Sequence, residues 1–149
     1  MIVTTFDKEL FAKFTNHLSE QRVEEILESD NIDIHKLDSS GSIEEKIAIL
    51  KVRKASRNTI NLLKNLYSHS CQICGGNFSQ YRVSIVEAHH IEPFSETQNH
   101  HPNNIVILCP THHEAIHKAG GTFNRKSMSF YYPSGHQETL TINKHLSIM

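Results

Sequence analysis

Three stretches decide the reading of this chain: CQICGG at 71–76, VEAHHIEPFS at 86–95 and NNIVILCPTHHEAIH at 103–117. Cys71 and Cys74 form a C-x-x-C pair followed by two glycines, and Cys109 and His112 repeat the spacing as C-x-x-H. A turn of that length points two thiolates inward, so the two pairs together offer a closed tetrahedral set of the structural zinc type. Buried cysteines beside a surface histidine would explain a lone pair, but a second pair at matched spacing favours a shared ion. A redox-active C-x-x-C would require a βαβ setting, which the surrounding sequence does not supply. The staple closes a loop of about 40 residues, and the other chemically suggestive residues lie in it or just beyond it.

Eight of the twelve histidines fall between His69 and His117. His113 and His117 stand four apart in THHEAIHKA (111–119), which reads as a helix stopped by Gly120 and Gly121, so both imidazoles project from one face. His89 and His90 are neighbours at the end of an extended stretch, RVSIVEA (82–88), where adjacent side chains point to opposite sides. One of the pair can therefore face an ion while the other faces a substrate. Three neutral imidazoles leave coordination positions open, as a catalytic ion requires. His112 and His113 could exchange roles, although the C-x-x-H spacing favours His112 for zinc.

These motifs resemble those of the HNH endonuclease family over about residues 67–120. The double-histidine start, the Asn nine residues before His113 and the H-x-x-x-H end resemble its colicin-type branch, and the knuckles resemble its zinc-stapled members. The resemblance implies a ββα-metal (His-Me finger) module with His90 as general base and His89, His113 and His117 as ligands of a catalytic ion. It implies that Asn104 pins the loop and orients His90, and that the products carry 5′-phosphate and 3′-hydroxyl ends. An all-imidazole site favours zinc, nickel, cobalt or manganese over magnesium, which prefers oxygen ligands. Many family members carry Asp where His89 stands and Cys where His112 stands. Elementary chemistry agrees: one divalent ion offsets the phosphodiester's charge, and a histidine titrating near neutrality accepts a proton from water.

Outward from this centre, IVIL (105–108) reads as a second strand, and SMSFYY (127–132) with ETLTI (138–142) flank PSGHQ as a closing hairpin. The N-terminal part reads as helical. Phe6, Leu10, Phe14 and Leu18 form a stripe, and Ser19 caps a short helix running through Ile26 and Leu27. A polar connection, SDNIDIHKLDSSGS (29–42), leads to a Ser42–Glu45 capping box. That box opens a longer helix with Ile43, Ile47, Leu50, Leu62, Leu63 and Leu66 as apolar positions. The expected class is α+β, with a helical region over 1–66 and a nuclease domain over 67–149. Nothing before Leu66 suggests chemistry.

Of the 149 residues only 38% are apolar, so a metal staple suits the size of the core. Three cysteines cannot all pair, no apolar run approaches membrane-spanning length and the N-terminus lacks a signal-peptide pattern, which together read as cytoplasmic. Charge is segmented. Residues 1–49 carry 11 acids against 5 Lys/Arg, and 50–66 hold five basic residues and no acid. The segment 67–117 nets −3 and 118–149 nets +3. Basic flanks around a metal-bearing centre suit phosphate strands. Lys51, Arg53, Lys54, Arg57 and Arg82 are the candidate DNA contacts, with Arg125 and Lys126 behind them. The apolar N-terminal stripes would also serve a homodimer. Glu87, Glu92, His100 and His101 read as solvated, and His17, His35, His69, His136 and His145 as ordinary surface residues. The rival class is a zinc-stabilised nucleic-acid-binding module without catalysis, which would have no use for an unligated base. An RNA-directed or toxin-like nuclease is a third, without an RNP-type aromatic motif to support it.

Overall fold

A computed structural model describes residues 21, 24, 25, 56–97 and 99–148. The N-terminal stripe, the Ser19 cap, the Ser42–Glu45 box, His17, His35 and Lys51, Arg53 and Lys54 lie outside the described residues. Helix α1 covers 56–66. Ser56, Ile60, Leu63 and Tyr67 recur at spacings of four, three and four, which aligns them on one buried stripe. Leu62 and Leu66, expected among the apolar positions, fall off that stripe and are 70% and 42% exposed.

The centre is a two-stranded antiparallel sheet, β1 (Glu87–His90) and β2 (Ile105–Leu108), with Glu87 opposite Leu108 and His90 opposite Ile105. All four β2 residues are buried, and the alternation of the strand sorts them into two cores. Ile105 and Ile107 pack with Ile60, Leu63, Tyr67, Val86 and Ala88. Val106 and Leu108 pack with Cys71, Cys109, Ile116, Phe130 and Tyr132. Residues opposite each other across the ladder share a face. His89 therefore joins Val106 on one side of the sheet, and His90 joins Ile105 on the other.

The expected strand over 82–88 begins only at Glu87. Arg82 adopts a left-handed backbone with φ 55°, Val83 is 66% exposed, and β2 ends at Leu108 opposite Glu87. The other edge of β2 is occupied by the first knuckle. The backbone of Gln72 donates to the Ile107 carbonyl at 2.9 Å, and its side-chain oxygen accepts the Ile107 amide at 2.8 Å.

Between the strands lie a short helix α2 (Phe94–Thr97) and a 3₁₀ turn (Pro102–Asn104). Helix α3 (Pro110–Ala119) follows β2 directly, with Cys109 at its N-cap and Pro110 where a missing N–H costs nothing. Gly120 ends it at φ 70°, with its N–H and that of Gly121 returning to the Ile116 carbonyl. A three-stranded antiparallel meander closes the chain: β3 (Thr122–Asn124), β4 (Ser129–Tyr131) and β5 (Gln137–Thr139). The expected hairpin is β4–β5. The added strand β3 is three residues long and mostly polar, which leaves little periodicity to read.

Candidate metal centres

The first centre joins the two knuckles. Cys71, Cys74, Cys109 and His112 each place a ligand atom within 4.8 Å of the others. The Gly75 amide donates to the Cys71 carbonyl at 2.8 Å and the Cys71 amide to Gly76 at 2.9 Å, which folds the knuckle back on itself. Gly75 meets the turn's need for a left-handed backbone, at φ 71°. His112 Nδ1 lies 3.5 Å from Cys71 Sγ and 3.1 Å from Cys109 Sγ. An S···N edge of a zinc tetrahedron is about 3.5 Å, so the donor set fits that ion. His112 Nε2 faces Glu138 on β5 at 3.4 Å, leaving Nδ1 for the ion. Burial, reinforced by the neighbouring Cys109, pushes the Cys71 thiol up to about 12. A bound cation is what would make a thiolate stable there.

The second centre joins His89 on β1 with His113 and His117 on α3, and adds Glu24. One turn of α3 brings His113 Nε2 and His117 Nε2 to 3.3 Å, the edge expected of two imidazoles sharing one ion at about 2.05 Å. Glu24, helical and 2% exposed, puts Oε2 against His113 Nε2 and 2.9 Å from His117 Nε2. Its Oε1 accepts the His90 backbone amide at 2.7 Å and lies 3.6 Å from His89 Nδ1. His89 Nδ1 is buried with no hydrogen-bond donor or acceptor of its own among the described residues. An orphaned ring nitrogen, two converging Nε2 atoms and a buried carboxylate are the donor set of a divalent ion. Glu24 corrects the expectation that nothing before Leu66 carries chemistry, and it shifts an all-imidazole set to three imidazoles and one oxygen. No local motif marks it. It is brought in by tertiary packing across more than sixty residues of chain.

Electrostatics run the same way. Burial raises the Glu24 carboxyl, but bonds to His113, His117 and His90 outweigh it and hold the group well below its usual range. Burial lowers His113, yet its bonds to Glu24 and Glu87 carry it up to about 10. Burial drives His89 down to about 3 despite the pull of Glu24. The cluster is thus organised around positive charge that its own imidazoles supply unequally.

Glu87, read as solvated, instead reaches His113 Nδ1 at 2.6 Å. A carboxylate behind a ligating imidazole fixes its tautomer and raises its basicity. Glu87→Ala is therefore expected to weaken Mn²⁺ or Zn²⁺ binding at this centre about ten- to a hundredfold. Titration calorimetry checks it, and unchanged affinity would return Glu87 to the surface.

His90 lies beside this centre but outside the ligand group. It is 2% exposed, its Nδ1 is 3.4 Å from Glu24 Oε1, and its Nε2 meets His100 Nδ1 at 2.9 Å. His100 was expected in solvent. It is half-buried, packed edge-on to Phe94, and bonded to the Ser56 carbonyl at 2.9 Å. His145 is likewise not a plain surface residue, since its Nε2 reaches the Ile105 carbonyl at 2.9 Å.

Asn104, 1% exposed, ties the intervening loop at both ends. Its Oδ1 accepts the Glu92 amide at 2.8 Å, and its Nδ2 donates to the Glu92 and Asn99 carbonyls at 3.0 and 2.9 Å. Its own carbonyl accepts the Ile91 amide at 2.8 Å. Of the candidate phosphate contacts among the described residues, Arg57 lies on α1 one residue from Ser56, and Arg82 is exposed at a turn.

Residues 71–119 match the family model described as HNH endonuclease. No curated protein and no solved structure matches the chain. The matched segment spans both knuckles, β1, β2 and α3.

Proposed function

We propose that the HNH endonuclease domain carried by this chain hydrolyses phosphodiester bonds in DNA with a single divalent ion and His90 as general base. The carrying observation is the placement of His90. It stands against the second metal centre through Nδ1, yet it is not one of the four residues grouped around the ion position. A module that only binds nucleic acid gains nothing from an imidazole held beside a metal centre.

Glu24, His89, His113 and His117 would hold the catalytic ion, and Cys71, Cys74, Cys109 and His112 a structural zinc. A bound divalent ion supplies charge neutralisation for the phosphodiester and stabilises the departing alkoxide. His90 accepts the proton of the attacking water, which raises its nucleophilicity as the new bond to phosphorus forms. Asn104 keeps the loop from Glu92 to Asn104 at constant length, so that His90 does not drift from the centre. The rings of Phe94 and His100, each with its centroid 5.1 Å from that of His90 and in contact with each other, pack against the His90 ring and limit its rotation. Arg57 and Arg82, with Lys51, Arg53 and Lys54, would steer the phosphate backbone, which positions DNA without selecting a sequence.

The purified chain is expected to nick or linearise supercoiled plasmid when Mn²⁺, Mg²⁺, Ni²⁺ or Zn²⁺ is supplied, and to do nothing in chelator. Gel electrophoresis of the topoisomers reads the result. DNA binding without cleavage under every ion would favour the non-catalytic module.

A further inference from the structure

Beyond the matched segment, the chain carries a cluster of charge that the reaction leaves unused. Arg125 and Lys126 follow Asn124 in the turn of the β3–β4 hairpin, within a stretch, 118–149, that nets +3. Asn124 shapes that turn: its Oδ1 accepts the Lys126 amide at 2.9 Å and the Ser127 amide at 3.3 Å. Tyr131, opposite Thr122 in the ladder, reaches back and donates its hydroxyl to Ser127 Oγ at 3.3 Å. Between these parts lies an open cleft of about 610 Å³, lined by Thr122, Phe123, Asn124, Arg125, Lys126 and Tyr131.

The lining holds two cations and no acid. Arg125 is half-buried, and its Nη1 is shut from solvent with no acceptor among the described residues. A cation drawn partly out of water without a counter-charge attracts an anion more strongly than a fully solvated one does. A guanidinium offers its fork to two phosphate oxygens, and an ammonium beside it adds a second charge. The hairpin is also held in register with the reaction centre. Phe123 faces Phe130 across the ladder with ring centroids 4.9 Å apart, and Phe130 meets the His89 ring at 5.7 Å. From β5, Glu138 accepts the Tyr132 hydroxyl at 2.6 Å and lies 3.4 Å from His112 Nε2. The cleft is thus fixed to both metal centres and stands two ring contacts from His89. Charges follow at about 3.4 Å of rise along one DNA strand, so a strand crossing that centre brings its next few phosphates to the cleft.

We propose that the cleft between β3 and β4 is a phosphate subsite, taking one backbone phosphate of the DNA a few nucleotides from the bond that is cut. Arg125 and Lys126 hold the phosphate, and the rings of Phe123 and Tyr131 wall the sugar beside it. The inference rests on the endonuclease reading for what becomes of the strand. It adds an anchoring contact outside residues 71–119, the segment that matches the family. Such a contact positions the strand and reads no base.

Arg125→Gln combined with Lys126→Gln removes both charges while keeping polar side chains of similar reach. Fluorescence anisotropy of a short labelled duplex gives the affinity, recorded on the full chain carrying His90→Ala so that the DNA survives. Between about 50 and 200 mM salt, log affinity falls with log salt at about 0.9 per phosphate neutralised. The neutral pair is expected to bind about tenfold more weakly and to lose about one from that slope. The pair Arg125→Lys with Lys126→Arg keeps the charge, and should hold the parental slope and an affinity within about threefold. With His90 in place, KM for plasmid should rise about tenfold in the neutral pair while kcat at saturation holds.

A neutral pair with parental affinity and slope would overturn the proposal and leave the endonuclease reading intact. A charge-keeping pair that binds as weakly as the neutral one would overturn it too, since charge would then not be what the cleft supplies. A parent that binds the duplex but cuts DNA with no ion would end the endonuclease reading, and the lost slope would still establish the phosphate subsite.

Discussion

His90→Ala is expected to lower the turnover of plasmid cleavage about a hundred- to ten-thousandfold, the range over which a positioned general base acts. Ion content and fold should survive the change. His90 is not one of the residues that gather around either ion position, and its main-chain amide, which holds Glu24 Oε1 at 2.7 Å, remains in the variant. The loss should appear in kcat rather than in DNA affinity. A plasmid assay paired with metal analysis reads both, and cleavage equal to that of the parent would remove His90 from the reaction. The truncation also opens a cavity beside the Phe94 and His100 rings, so thermal unfolding should accompany the assay to show that any loss is chemical.

The second large effect is on stability. Cys71→Ser should destabilise the chain by at least about 4 kcal/mol, because an incomplete donor set forfeits zinc binding that is itself folding free energy. For a chain of this length that corresponds to a fall in Tm of roughly 8–16 °C. Cys71 is fully buried among Val106, Leu108, Ile116 and Phe130, so the replacement also leaves a hydroxyl in an apolar core. Differential scanning fluorimetry with zinc quantification is the measurement. Full zinc content and an unchanged Tm would refute the assignment of Cys71 to the staple.

Sequence legibility followed the range of the interactions. Helix α3 announces itself through Pro110 at its start, Gly120 at its end and the four-residue spacing of His113 and His117, all local signals. The strand IVIL is likewise legible, because four apolar residues between Asn104 and Cys109 have no amphipathic helical alternative. The knuckles are legible because metal ligation imposes spacing on the chain itself. Glu24 is not, since a carboxylate on a polar helix looks the same whether it meets water or an ion cluster far along the sequence. His100 and His145 fail for the same reason: in loops, burial is decided by what packs over them. Gln72 is another such case. It stands inside a knuckle where only the cysteines carry a pattern, yet it completes the hydrogen bonding of β2.

His112 and His113 are consecutive residues that serve different ion positions, and Cys109 and His117 belong to the same pair of groups. An inserted or deleted residue inside α3 would turn everything beyond it by about 100° around the helix axis. No single shift between Cys109 and His117 could preserve both centres, because every breakpoint there separates members of at least one of them. The run from Cys109 to His117 is therefore a segment of fixed length, in which drift by substitution is open to the exposed Pro110, Thr111 and Glu114 but drift by length is closed. The exposed turn at Pro133–Gly135, which neither centre draws on, has the opposite character and can lengthen freely. In a lineage of such chains, gaps would collect at that turn and stop at the helix.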